Sequence, residues 1–209
     1  MESIVDVEQD PVPLVLIMAN VLRRNESDPK RARLLAHTSG RVVFRSASDP
    51  QVVTMEFRHG KVMVTRGAAP DADMTIVADL ATMSEENPPK PAVSGALSHL
   101  RLALAVSKLL DPPLGDWQQE AERFWAYASP RPGCPAGLKV TCLDDGRVAE
   151  FGVRPAEYEI HGTAHRLRSV FSGGSVLGED MLAGKLYVVG MLRHTAELNG
   201  CCLDWMMGR

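Results

Sequence analysis

The 209-residue sequence predicts an α+β fold, arranged as two related halves. Three observations predict it. Segments alternating apolar and polar residues, the mark of half-buried strands, are interleaved with amphipathic helical segments. DPPLGD at 111–116 forbids helix continuation and divides the chain near its middle. The order of elements before that break recurs after it. On this reading residues 11–112 form the first half, 113–209 a shortened second half, and 1–10 a solvated lead-in.

In the first half, Pro11 and Pro13 open the amphipathic helix PLVLIMANVLRR, a position where proline loses no needed hydrogen bond. GRVVFRSA (40–47) and QVVTMEFR (51–58) read as strands. In the second of these Val53, Met55 and Phe57 alternate with Thr54, Glu56 and Arg58. His59-Gly60 makes a tight turn into KVMVTRG (61–67), which closes a hairpin. ADMTIVA (72–78) is a further strand, and Asp79 is a helix N-cap for DLATMSEE. ENPPKP interrupts, and SGALSHLRLALAVSKLL (94–110) comes next.

After the break, DWQQEAERFWAYA sets Trp117, Ala121, Phe124 and Trp125 on one helical face. GLKVTCLDDGRVAEFGV gives two strands around Asp145-Gly146, and AEYEIHG gives a third. AHRLRSVFSGG is a short helix with Leu167, Val170 and Phe171 inward. MLAGKLYVVG (181–190) is a strand between glycines. LNGCCLDWMMGR ends the sequence as a short helix with Leu203 and Met206 inward.

The internal match aligns ADMTIVAD with AEYEIHGT and HGKVMV with DGRVAE. It also lays SGALSHLRLALAVSKLL on AGKLYVVGMLRHTAELN without a gap, pairing Gly95 with Gly184. From Gly137 to Gly146 the second half spans nine residues, against twenty from Gly40 to Gly60, so it lacks a strand or borrows one.

Composition excludes some functions. Net charge is −3, with 13 basic and 14 acidic residues before Pro113 and 10 and 12 after. Neither half has the positive field of a nucleic-acid binder. The longest apolar run, LVLIMANVL at 14–22, is too short to span a bilayer, and MESIVDVEQD lacks the features of an export signal. The expectation is a cytoplasmic protein with reduced thiols. Cys134, Cys142, Cys201 and Cys202 fit no metal spacing, and a vicinal disulfide at Cys201-Cys202 is the sharper alternative. Neither metal nor cofactor is expected. No G-x-S-x-G elbow and no phosphate-cradling glycine loop occurs. His161 and His165 are separated by a strand end at Gly162, and Glu157 and Glu159 read as solvated.

Three stretches carry a family resemblance: the hairpin RHGKVMVTRG, the segment APDADMTIVADLATM, and FSGGSV…MLAGKLYVVGMLRHTAEL. Together they resemble the sterol carrier protein type 2 lipid-binding domains. The first half departs at Ala96, where the family pattern has Lys, and at Arg101, where it has a second Gly. The resemblance implies an antiparallel-rich sheet with helices on one face, and an apolar tunnel between the two layers. It implies non-catalytic binding or carrying of a fatty acid, an acyl thioester or a sterol-like lipid.

The residues expected to line that tunnel are Phe171, Met181, Leu182, Leu186, Val188, Met191, Leu192, Leu203 and Met206. Flexible, polarizable methionines suit a chain of variable length. Arg23, Arg24, Lys30, Arg31 and Arg33 offer a transient contact with anionic headgroups or an acyl carrier's phosphate, or a plain solvated helix end and loop. The alternatives are an interaction or homodimerisation module with a filled core, completed at the edge the missing strand leaves open, and an enzyme acting on a hydrophobic substrate.

Overall fold

The computed structural model describes residues 4–83 and 85–209, in two compact units: Met1–Pro113 with Gly208, and Leu114–Met207 with Arg209. Residues 1–3 of the expected lead-in, and Ser84 of the expected DLATMSEE helix, lie outside the described residues.

In the first unit β1 (Val5–Val7) precedes α1 (Pro13–Arg23), a 3-10 turn and α2 (Pro29–His37). Strands β2 (Gly40–Ser46), β3 (Val52–Arg58), β4 (Lys61–Arg66) and β5 (Met74–Ala78) come after them. Then come β6 (Ala92–Ser94) and α3 (Leu100–Leu109). The sheet order is β1-β4-β3-β2-β5-β6, with β1–β4 and β2–β5 parallel and the other pairs antiparallel. Alternating residues Val53, Met55 and Phe57, with Val42, Phe44, Met74 and Ile76, turn one face toward Leu14, Val15, Met18, Ala19 and Leu22 of α1. α3 adds Leu102, Val106 and Leu109 to the same core. The first ten residues are therefore more than a solvated lead-in. Val5 is buried and pairs with Val62, and Ile4 and Val7 pack against the same core, so the few apolar residues of this acidic segment dock an edge strand.

Asp79 does cap, its carboxylate accepting from Ala81 N at 3.1 Å, but it opens only a single 3-10 turn at Leu80–Thr82. SGALSHLRLALAVSKLL is a strand end, a loop and α3, rather than the strand its alignment implied.

The second unit has α4 (Trp117–Ala128), β7 (Gly137–Cys142), β8 (Val148–Gly152), β9 (Tyr158–Gly162), α5 (Ala164–Phe171), α6 (Leu177–Leu182), β10 (Leu186–Val189) and α7 (Leu192–Met207). Its sheet order is β10-β9-β7-β8, with β7–β9 parallel. This repeats β6-β5-β2-β3 of the first unit, and counterparts of β4 and β1 are missing from the four strands. DGRVAE thus leads into the counterpart of β3, whereas HGKVMV enters β4, so that pair in the internal match is replaced.

Register corrects a second pair. Ile76 sits between Phe44 and Val93, as Ile160 sits between Val140 and Val188. Two residues beyond Val93 is Gly95; two beyond Val188 is Gly190. Gly95 is therefore the counterpart of Gly190 and not of Gly184. Both have positive φ, +81° and +154°. A Cβ on Gly95 would overlap the Asp73 carbonyl, and one on Gly190 would overlap the Tyr158 ring. The crowding at Gly190 thus comes from the neighbouring strand. Gly184 turns α6 toward β10, Lys185 N donating to Asp180 O at 2.8 Å, and open space surrounds it.

Gly95→Ala and Gly190→Ala should each cost about 2–4 kcal/mol, from backbone strain plus overlap. Gly184→Ala should cost roughly 1–2 kcal/mol, from left-handed backbone alone. Urea denaturation of the three variants checks the ranking.

Candidate functional site

Between the sheet and α3 of the first unit lies a cavity of about 370 Å³. Its floor is a row running straight across three strands. Phe44 of β2 pairs with Ile76 of β5, which pairs with Val93 of β6. Met74 and Ala78 flank Ile76 on the same face, because alternate residues of a strand share a side. Ala103, Val106, Ser107 and Leu110 roof it from α3 and the residue that ends it. Met83, Ala96 and the prolines Pro88, Pro89 and Pro91 close the flank.

The lining types explain why the space is dry-walled and unfilled. Prolines carry no backbone N–H, so an extended wall made of them leaves no orphan donor facing apolar space. Ala96 and Ala103 supply one methyl each where a larger side chain would fill the gap. The polar lining side chains are Ser107 and Asp111, both at the C-terminal end of α3. Volumes of about 300–1,000 Å³ with few polar groups are typical of small-molecule sites.

A buried polar clamp holds the roof. Asn25, fully buried, donates through Nδ2 to Leu109 O at 2.9 Å, and to Leu22 O and Val21 O at 3.1 Å each. Arg31 Nη1 donates to Asp111 O at 2.9 Å, to Asn25 Oδ1 at 3.2 Å and to Lys108 O. The last carbonyls of a helix lack intrahelical partners and carry partial negative charge. An amide and a guanidinium are suited to satisfy them. The sequence presents Arg31 as a headgroup contact or a solvated helix end; it caps α3 instead.

The nine residues named from the sequence all lie in the second unit, and none lines this cavity. Phe171 and Leu186 are buried in the second unit's core, and Met181 and Val188 pack against it. Leu182 and Leu192 are 92% and 81% exposed, and Met191 and Leu203 are also exposed. Met206 is half-buried. The cavity's own residues escape notice in the sequence because their signal is small side chains and prolines, which read as a chain break.

The second unit offers weaker chemistry. Tyr158 Oη and Thr195 Oγ1 share a buried hydrogen bond of 2.7 Å, and burial raises the Tyr158 pKa. His161 stacks on Tyr187 at 4.4 Å and places Nε2 3.1 Å from Glu159 Oε2, while Lys139 donates to that same oxygen at 3.2 Å. Glu159 is therefore paired rather than simply solvated. All four cysteines are free thiols. Cys201 and Cys202 lie within α7, and the Cys201 sulfur is 3.6 Å from that of Cys134. Burial pushes the Cys134 and Cys202 thiols up to about 12. Among the described residues no group of three His, Cys, Asp or Glu is placed to hold a metal ion. No helix of the described residues is long and apolar enough to cross a membrane.

Asn25→Ala should destabilise the protein by about 1–3 kcal/mol, because the buried Leu109 carbonyl loses the amide that donates to it. Urea denaturation should show the midpoint falling with little change in slope.

No family model matches the chain, and no curated protein matches it. Solved structures do, loosely. A ubiquinone synthesis protein, UbiJ-SCP2, is 18% identical over 50% of this chain and 97% of its own, with TM-score 0.35. A Thermus thermophilus protein, described as a possible sterol carrier protein, is 19% identical over 46% of this chain and 82% of its own, with TM-score 0.34. Sterol carrier protein 2 is 17% identical over 46% and 91%, with TM-score 0.32. Scores of this size describe loose superpositions, so any functional reading stands on the cavity's geometry.

Proposed function

We propose that the protein binds and carries a hydrophobic small molecule, without transforming it, in the first-unit cavity. The observation that carries this is an apolar space of about 370 Å³ whose polar lining side chains are confined to one end. Filling it with an apolar chain removes Phe44, Ile76, Val93 and Val106 from contact with water or void. Burial of apolar surface yields about 25 cal/mol per Å². The polar end of the ligand then rests by the Ser107 hydroxyl, away from the apolar floor. The sequence resemblance to sterol-carrier domains supports the same class of ligand: a fatty acid, acyl thioester or sterol-like lipid. Catalysis is not part of the reading, since the lining holds no nucleophile–base pair.

The nine second-unit residues remain a separate proposal for lipid contact, and the same measurement addresses both. Ala103→Trp should fill the first-unit cavity and weaken binding of a fluorescent long-chain fatty-acid probe by roughly tenfold or more, about 1.4 kcal/mol or above. In the wild type, saturating probe at about 100 times its Kd should stabilise the fold by about 2.7 kcal/mol, read as a rise in Tm. Unchanged probe affinity in Ala103→Trp would remove the cavity as the site. If Leu186→Trp abolished binding instead, the site would move to the second unit.

A further inference from the structure

Among the described residues of the first unit, the large apolar side chains left exposed are Met63, Met83, Val93, Leu97, Leu100 and Leu104. Five of these six fall between 83 and 104, the stretch that borders the cavity. Met83 and Val93 line it, Leu97 follows the lining residue Ala96, and Leu100 and Leu104 share α3 with Ala103 and Val106. Leu97 is 97% exposed.

α3 shows that this is a face and not scatter. At 3.6 residues per turn, buried Leu102, Ala105, Val106 and Leu109 fall on one side. Leu100 and Leu104 fall on the other, flanked by Arg101 and Lys108. A helix apolar on both sides calls for something to cover its outer side. Contiguous exposed apolar patches mark interaction surfaces.

Charge selects the cover. From 87 to 110 the chain has Lys90, Arg101 and Lys108 and no acidic residue, in a protein whose net charge is −3. All three are exposed and make no ion pair with the described residues. Glu86 and Asp111 flank the stretch, and His99 lies 3.8 Å from Asp73. An apolar stripe edged by unpaired cations matches the boundary between acyl chains and anionic headgroups.

We propose that this rim seats on a lipid bilayer bearing anionic headgroups, with Leu97, Leu100 and Leu104 entering the interface and Arg101 and Lys108 meeting phosphates. The inference rests on the ligand reading above: a cavity bordered by lipid takes in its ligand without passing it through water. It shifts membrane contact away from the basic segment around Arg31.

The test is flotation of the full chain with phosphatidylcholine vesicles containing about 30% phosphatidylserine, compared with pure phosphatidylcholine. Wild type should bind the mixed vesicles preferentially and lose binding in high salt. Leu97→Ser/Leu100→Ser/Leu104→Ser should bind roughly tenfold less, and Arg101→Gln/Lys108→Gln should lose the preference for anionic vesicles. Met63→Ser should match wild type. Absence of wild-type binding, or full binding by the triple leucine variant, overturns the proposal. So does a doubled mass in light scattering that the leucine variant abolishes, which assigns the face to a second copy. Uptake of the fatty-acid probe in vesicle-free buffer separates the two readings. Probe bound without vesicle binding sinks the docking surface alone, and absence of probe binding sinks the ligand reading.

Discussion

The parallel pairing of β2 with β5, repeated as β7 with β9, is the constraint on which each unit's architecture depends. A parallel partner cannot be reached by a tight turn, so the chain must cross the sheet. In the first unit β4 ends at the opposite end of the sheet from the start of β5. The link 67–73 therefore runs back across the outer face. Thr54 Oγ1 donates to Gly67 O at 2.7 Å and accepts from Ala69 N at 3.1 Å as the link passes β3. Arg41 then meets Asp71, and its N donates to Asp73 Oδ2 at 2.7 Å, as the link passes β2. The paired charges lower the Asp71 pKa and raise that of Arg41. In the second unit β8 already ends where β9 begins, so residues 153–157 need only step over the start of β7. Val153 N donates to Ala136 O, and Glu157 N to Gly137 O. Losing the β4 counterpart and shortening the link are thus one event in geometric terms.

The same four-strand frame is covered differently in the two units, which accounts for a cavity in the first. There α1 packs on β1 and β4, and α2 packs against β4 and α3. The β5–β6 end is left to α3 and a proline-rich segment. In the second unit α5 packs on β9 and α6 on β10, with α4 against α5, α7 and β8. Side-chain size follows the cover. Met74 of the first unit corresponds to Tyr158 of the second, whose core also holds Trp117, Phe124 and Phe171. Phe124 and Phe171 lie 5.5 Å apart, ring to ring. Packed aromatics of this kind each bury about 150–250 Å² and leave little room.

Much of the frame was legible in the sequence because it depends on local chemistry. Alternation in 52–58, the His59-Gly60 turn, the Asp145-Gly146 turn and the inward set Leu167, Val170 and Phe171 all stand where periodicity and turn residues placed them. β1 was hidden because its pairing is made with residues some sixty positions away. The Gly95–Gly184 match failed because shared letters weigh a glycine by identity. Register weighs it by what a side chain would strike, and that criterion joins Gly95 to Gly190.

The cavity was least legible, for a related reason. The sequence draws attention to large apolar residues, and the nine named from it all lie in the last third. A void is instead written by what fails to fill it: Ala96, Ala103 and three prolines beside an ordinary strand. Ala96 too carries meaning only once the cavity beside it is known. The leucines at 97, 100 and 104 obey the same logic. In the sequence they are indistinguishable from core residues on a helix, and only the burial of Leu102, Ala105, Val106 and Leu109 on the opposite side leaves them facing outward. Sequence periodicity reports that a helix has apolar residues. The second element packed against it decides which of them are spent on the core and which remain for something else.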